Sequence, residues 1–201
     1  MSKAADLANL IGNINMGGGG VNRNLLINGS TNVAQRGTSE TGIGASSGYF
    51  TCDRWKMTTA NTAGRLTMTQ DSSAPSGTGL ANSIKLDCTT ADTSIAADEI
   101  TIIGQSIEGQ NLQTIKKGTS SAVPVTASFY AKANASATYV AELYDHDNTR
   151  NNTRAFTVGT DWARVELTFI ADTTGTLDDD NAASLTSVSY THLRAHETTV
   201  Y

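Results

Sequence analysis

From Asn24 onward the chain sustains no 3.6-residue apolar period. It runs instead in short apolar–polar alternations, broken every few residues by Gly, Asn, Asp or Ser. Successive side chains of an extended strand point to opposite faces, so each such run buries one face and wets the other, and turn-forming residues end it. The clearest runs are Val125–Lys132, Thr138–Asp145 and Ala163–Ile170. Parity assigns their inner faces as Val125/Ala127/Phe129/Ala131, Tyr139/Ala141/Leu143 and Val165/Leu167/Phe169. Arg65–Gln70 and Asn82–Cys88 alternate in the same way, and Glu99–Ile107 is more continuously apolar, as a strand covered on both sides should be. Asn24–Asn28 and residues 49–59 read as two further strands. Residues 109–118 read as a loop with one helical turn that turns Leu112 and Ile115 inward. With short strands, no crossover helices and only two prolines, the expectation is an all-β, antiparallel sandwich.

Composition narrows the function classes. Only 16% of the 201 residues are charged, against about 25% in an average soluble chain. The balance of 14 basic and 19 acidic residues gives a net charge of −5. Without a basic stripe, nucleic acid is not an expected partner, and no apolar run of about 18 residues calls for membrane insertion. The N-terminal residues 1–15 carry Leu7, Leu10, Ile11 and Ile14 at helical spacing, interrupted by Asp6, Asn9 and Asn13. That is a short amphipathic helix rather than a signal peptide. Residues 16–20 follow as a Gly-rich linker, so the helix is expected to dock the module or to oligomerise it. Cys52 and Cys88 both fall in strand-like runs and read as buried free thiols.

The run Val188–Thr198 resembles the in-frame translation of a sequencing adaptor, of the kind that ends open reading frames taken from metagenomic contigs. On that reading residues 188–201 are not biological. His192 and His196 then carry no weight as a metal pair, His146 is left as the one histidine, and the sandwich of residues 21–187 is C-terminally incomplete.

Four motifs in order carry a further resemblance. Asn24-Leu-Leu-Ile-Asn-Gly29 is followed by Asp53-Arg54-Trp55, by Ser128-Phe-Tyr-Ala-Lys-Ala133 and by Trp162-x-Arg164 with Phe169. Together they resemble phage tail-fibre and related virion proteins that carry a carbohydrate-binding-type jelly roll. The resemblance implies a jelly-roll β-sandwich over residues 21–187, a virion location, host surface glycan and other virion proteins as partners, and a homo-oligomer.

Sugars are recognised by aromatic faces beside hydrogen-bonding groups, because their C–H faces stack while their hydroxyls need polar partners. Parity puts Tyr130 and Lys132 outward on one strand, Glu142 and Tyr144 on the next and Arg164 on a third, and these five with Trp55 are the expected ligand-binding residues. The plainer account is that these charges pair across strands on a wetted sheet. Trp162 is expected to cap the core. No catalytic motif is present, and no enzyme activity is expected. Glu142 and Glu166, on strands read as neighbours, are the one carboxylate pair that glycoside hydrolysis could use. No cofactor is expected. Two acidic clusters, Asp145/Asp147/Asn148 and Asp178–Asn181, are of the type that can hold a structural calcium, although Asp and Asn are also ordinary turn formers. The function expected is non-enzymatic binding of host carbohydrate by a virion component. The alternatives are a purely structural virion protein and, less favoured, a polysaccharide-degrading enzyme.

Overall fold

The computed structural model describes residues 24–190 and 198–200, with 188–190 and 198–200 as backbone only. Among the described residues eleven strands run in chain order: β1 (Ser39–Ile43), β2 (Lys56–Ala60), β3 (Arg65–Asp71), β4 (Ser83–Thr90), β5 (Ile100–Glu108), β6 (Val125–Ala133), β7 (Ala137–Asp145), β8 (Arg150–Val158), β9 (Ala163–Phe169), β10 (Ala183–Tyr190) and β11 (Thr198–Val200). Every pairing is antiparallel. One sheet has six strands in the order β1-β3-β4-β11-β6-β9, and the other has five in the order β2-β5-β10-β7-β8. The two inner faces form the core of a jelly-roll β-sandwich.

Strand parity decides that core. On β6 and β7, Ala131, Ala133, Tyr139 and Ala141 are buried as the alternation requires, and Phe129, Ala127 and Leu143 pack against them. Phe156 lies edge-on to Phe129 and stacked on Tyr139, with ring centroids 5.3 and 5.8 Å apart. At the other end Ile43, Cys52, Met57, Leu66, Met68, Ile84, Leu86 and Ile103 form a second cluster. Leu112 and Ile115 project inward from two short 3-10 turns between β5 and β6 and close a third cluster with Ile107 and Leu185. Both cysteines are free; Cys52 is buried and Cys88 half-buried. Burial pushes both thiols above their ordinary pKa.

Several expectations are corrected. Asn24–Asn28 is a turn, not a strand. The Asn24 side chain accepts the Leu26 N–H, and Asn28 sits at φ 56°. Ile27 finds its strand-like partners in one side chain instead: the Gln105 amide accepts its N–H at 2.6 Å and donates to its carbonyl at 2.8 Å. Residues 49–55 are likewise not extended, because Arg54 at φ 73° breaks the run, and only Lys56–Ala60 pairs. Strands β1 and β8 carry too little apolar alternation to be read in advance; β8 (RNNTRAFTV) buries only Phe156 and Val158. Among the described residues the inner places of the two sheets include β10, which runs through residue 187, and β11. The expected N-terminal helix and linker lie outside the described residues.

Candidate functional site

Strand register divides five of the six expected ligand-binding residues between two opposite faces, and the sixth, Trp55, packs against the core. On the outer face of the six-stranded sheet, Tyr130 stands opposite Arg164 and Ser128 opposite Glu166. Arg164 pairs with Glu166 along its own strand, and both are more than half exposed. The Lys132 ammonium lies 4.8 Å from the centroid of the Trp162 ring and donates to Ser73 Oγ at 3.0 Å. Trp162, expected at the rim of the core, is half-buried and carries this cation on its ring face.

Glu142 and Tyr144 belong to β7, in the other sheet, and face the opposite side of the molecule. The expected neighbourhood of Glu142 and Glu166 is therefore corrected: β7 and β9 are not neighbours, and the two carboxylates stand on opposite outer faces. The geometry for paired-carboxylate hydrolysis, with its two groups about 5–9 Å apart, is not met by this pair. Trp55 joins neither face. Its ring packs on the core cluster of β1–β5 and its indole N–H donates to the Asn28 carbonyl at 3.1 Å, a buried-edge anchor for the 28–33 turn.

The outer face of the five-stranded sheet gathers the more complete set of sugar-recognising groups. Its rows can be read from the register: Ser106, Thr186, Tyr144 and Asn151 lie side by side, next to Lys56, Gly104, Val188, Glu142 and Thr153. Tyr144 is half-buried and meets the exposed His146 edge-on at 4.8 Å. The Thr186 hydroxyl ties this pair to the sheet, hydrogen-bonded to His146 Nε2 at 2.7 Å and to Ser106 Oγ at 3.1 Å. At the end of the same face Arg54 donates to Glu108 at 3.0 Å and to the Ser106 carbonyl, and Asn111 also reaches Glu108. The Glu108 carboxyl is held below its ordinary pKa, first by its own backbone N–H and then by Arg54. Glu142, only 4% exposed, adds a carboxylate withdrawn from water beside Tyr144. Gly104 leaves the middle of the face without a side chain, and a Cβ there would stand 2.5 Å from the Ser187 carbonyl oxygen. His146 and Thr186 were not among the expected site residues: nothing in the local alternation shows that β10 inserts next to β7.

The two acidic clusters are occupied internally. Asp145 (3% exposed) turns into the molecule and pairs with the Lys117 ammonium at 2.6 Å, while also accepting from the Asn148 backbone and side chain. Asp147 accepts the Asp178 N–H at 2.9 Å, and Asp180 accepts that of Ala182. Lys117 sits among four oxygens, those of Asp145, Asp172 (3.3 Å) and the Thr174 and Gly175 carbonyls (2.9 and 2.7 Å), the surroundings a small cation would otherwise have. Among the described residues, no group of three or more His, Cys, Asp or Glu side chains is arranged to hold a metal ion.

Fold and surface together define an antiparallel jelly-roll β-sandwich with polar, aromatic-bearing outer faces. No family model matches the chain, and no curated protein matches it. Solved structures do match in fold. The enzymatically active domain of bacteriophage CBA120 tailspike protein 4 superposes over 89% of this chain with a TM-score of 0.53 at 14% identity. The present chain spans about a fifth (20%) of that tailspike chain. A putative sugar binding protein from Bacteroides thetaiotaomicron matches over 89% of this chain and 96% of its own, at 16% identity and a TM-score of 0.51. A family 11 carbohydrate-binding module from Clostridium thermocellum aligns over 81% of this chain and 92% of its own, at 14% identity and a TM-score of 0.45.

Proposed function

We propose that this chain is a non-enzymatic carbohydrate-binding module of a phage virion or tail fibre, holding host surface glycan on the outer face of its five-stranded sheet. The observation that carries the reading is the Tyr144–His146 edge-to-face pair, tied by Thr186 to a hydroxyl row and flanked by the Arg54–Glu108 pair. Such a face offers ring surface for sugar C–H groups and a ladder of donors and acceptors for hydroxyls. The tailspike and sugar-binding likenesses support the fold of such a module. The separation of Glu142 from Glu166 supports binding rather than hydrolysis. Copies repeated on a particle would raise avidity over a weak single-site affinity, and residues 1–15 would serve docking or oligomerisation.

Retention on immobilised host polysaccharide tests this. The full chain should be held, Tyr144→Ala should weaken binding at least about tenfold, which is about 1.4 kcal/mol, and no reducing ends should accumulate. Equal retention of Tyr144→Ala would place the sugar elsewhere. Failure of the unaltered chain to bind any host polysaccharide would favour a spacer role in the virion. Released reducing ends would make it a degrading enzyme. Deleting residues 1–16 should abolish incorporation into particles while leaving retention unchanged.

A further inference from the structure

A polar cavity lies on the opposite side of the sandwich. Ser73, in the loop after β3, accepts a hydrogen bond from the Lys132 ammonium at 3.0 Å. Beside them is an open cavity of about 330 Å³ lined by Asp71, Ser73, Lys85, Lys132, Asn134 and Thr160. That volume is at the lower end of ligand pockets, which run from about 300 to 1,000 Å³, and suits one or two small rings. The register explains why two cations meet there: Lys132 of β6 and Lys85 of β4 both stand opposite Thr199 of the intervening β11.

The two lysines differ in their counter-charges. Lys85 is paired with Asp87 at 2.9 Å. Lys132 has no carboxylate within ion-pair distance among the described residues; a hydroxyl and the Trp162 π-face orient it. A ring face strengthens as a cation's neighbour when water is withdrawn, but it carries no net charge, so the ammonium keeps its full demand for an anion. Ser73, Thr160 and Asn134 add hydroxyl and amide groups for a polyol. Asp71, whose carboxylate accepts the Ser73 N–H at 2.7 Å, can accept from sugar hydroxyls and repels a dianion such as phosphate.

We infer that this cavity binds a singly charged sugar acid, with the carboxylate of a uronate-type residue on Lys132 and its hydroxyls on Asp71, Asn134 and Thr160. The inference rests on the glycan-binding reading but uses different residues on the opposite face, so the two can fail separately. Titration calorimetry of the full chain with methyl β-glucuronide and with methyl β-glucoside tests it. The glucuronide should bind and the glucoside should bind at least about tenfold more weakly. Lys132→Met should cost at least about tenfold, Lys132→Arg should keep most of the affinity, and Tyr144→Ala should change nothing. Raising the salt from 0.05 to 0.5 M should weaken the glucuronide alone. Unchanged glucuronide binding in Lys132→Met, with Lys132→Arg folded like the parent, would overturn the inference. So would equal binding of the neutral glycoside, or loss in Tyr144→Ala. Polysaccharide retained through Tyr144 with no glucuronide bound would remove this site and leave the proposed function standing. No carbohydrate bound at all would remove both.

Discussion

Replacing Lys117 by Met removes a charge without removing much volume, and the structure sets the size of the effect. The Lys117 side chain is 9% exposed and the Asp145 side chain facing it at 2.6 Å is 3% exposed, so both are largely withdrawn from bulk water. In Lys117→Met, Asp145 would keep only its hydrogen bonds from Asn148, and the Thr174 and Gly175 carbonyls would lose a donor. Breaking a buried pair by deleting one partner costs about 3–5 kcal/mol, because an uncompensated charge remains. For a domain of this length that corresponds to a fall in Tm of about 6–20 °C. Urea unfolding followed by far-UV circular dichroism and by Trp55 and Trp162 fluorescence reads it directly. The double variant Lys117→Met/Asp145→Asn should recover part of the loss, since it removes the stranded charge. A loss under about 1 kcal/mol, or no recovery in the double variant, would refute the view that this cluster is a buried, mutually compensated ion pair.

Three further outcomes are expected. Trp55→Phe should cost about 1 kcal/mol, the net worth of the lost bond to the Asn28 carbonyl, and leave polysaccharide retention unchanged; reduced retention at equal stability would return Trp55 to the binding surface. Gln105→Leu should cost about 1–3 kcal/mol in urea unfolding, because the N–H and carbonyl of Ile27 lose the amide that bonds them both; a neutral result would mean that water replaces the amide. Acid should destabilise the fold through carboxyls held below their ordinary pKa. Burial alone would raise that of Asp172, but the Thr174 N–H, Lys117 and Arg150 outweigh it, and Glu108 is lowered by its own N–H and by Arg54. A depressed folded-state pKa gives stability that is fully present above the unfolded value near 4 and is lost as pH falls through the folded value. Arg54→Met should therefore cost something at pH 7, under about 1 kcal/mol because the pair is partly exposed, and nothing at pH 2; a difference that grows toward acid would contradict the assignment.

Legibility followed the range of the interaction. The alternation of Val125–Lys132, Thr138–Asp145 and Ala163–Ile170 specifies which side of each strand is apolar, and Phe129, Ala131, Tyr139, Ala141 and Phe169 face the core as that alternation demands. Leu112 and Ile115 face it too. Segments whose order comes from distant partners were not legible: Ile27 is satisfied by Gln105, 78 residues away, and Arg54 is held at positive φ beside Glu108.

The candidate site shows the same division. Parity sets Tyr130, Lys132, Tyr144 and Arg164 on the side of their strands away from the core clusters, because it depends only on the two-residue repeat of one strand, whereas Glu142, on the same side as Tyr144, is buried. It carries no information about which sheet a strand joins. Pairing partners are chosen by packing between segments far apart in the chain, and consecutive strands of a sandwich can fall in opposite layers. Here β6 pairs with β9 while β7 enters the other sheet between β8 and β10. That choice alone puts Tyr144 beside His146 and Thr186, and Lys132 on the far side beside Trp162 and Ser73. Alternation along each strand shows which side is polar and with what chemistry; the pairing of distant strands is what divides that chemistry between two surfaces.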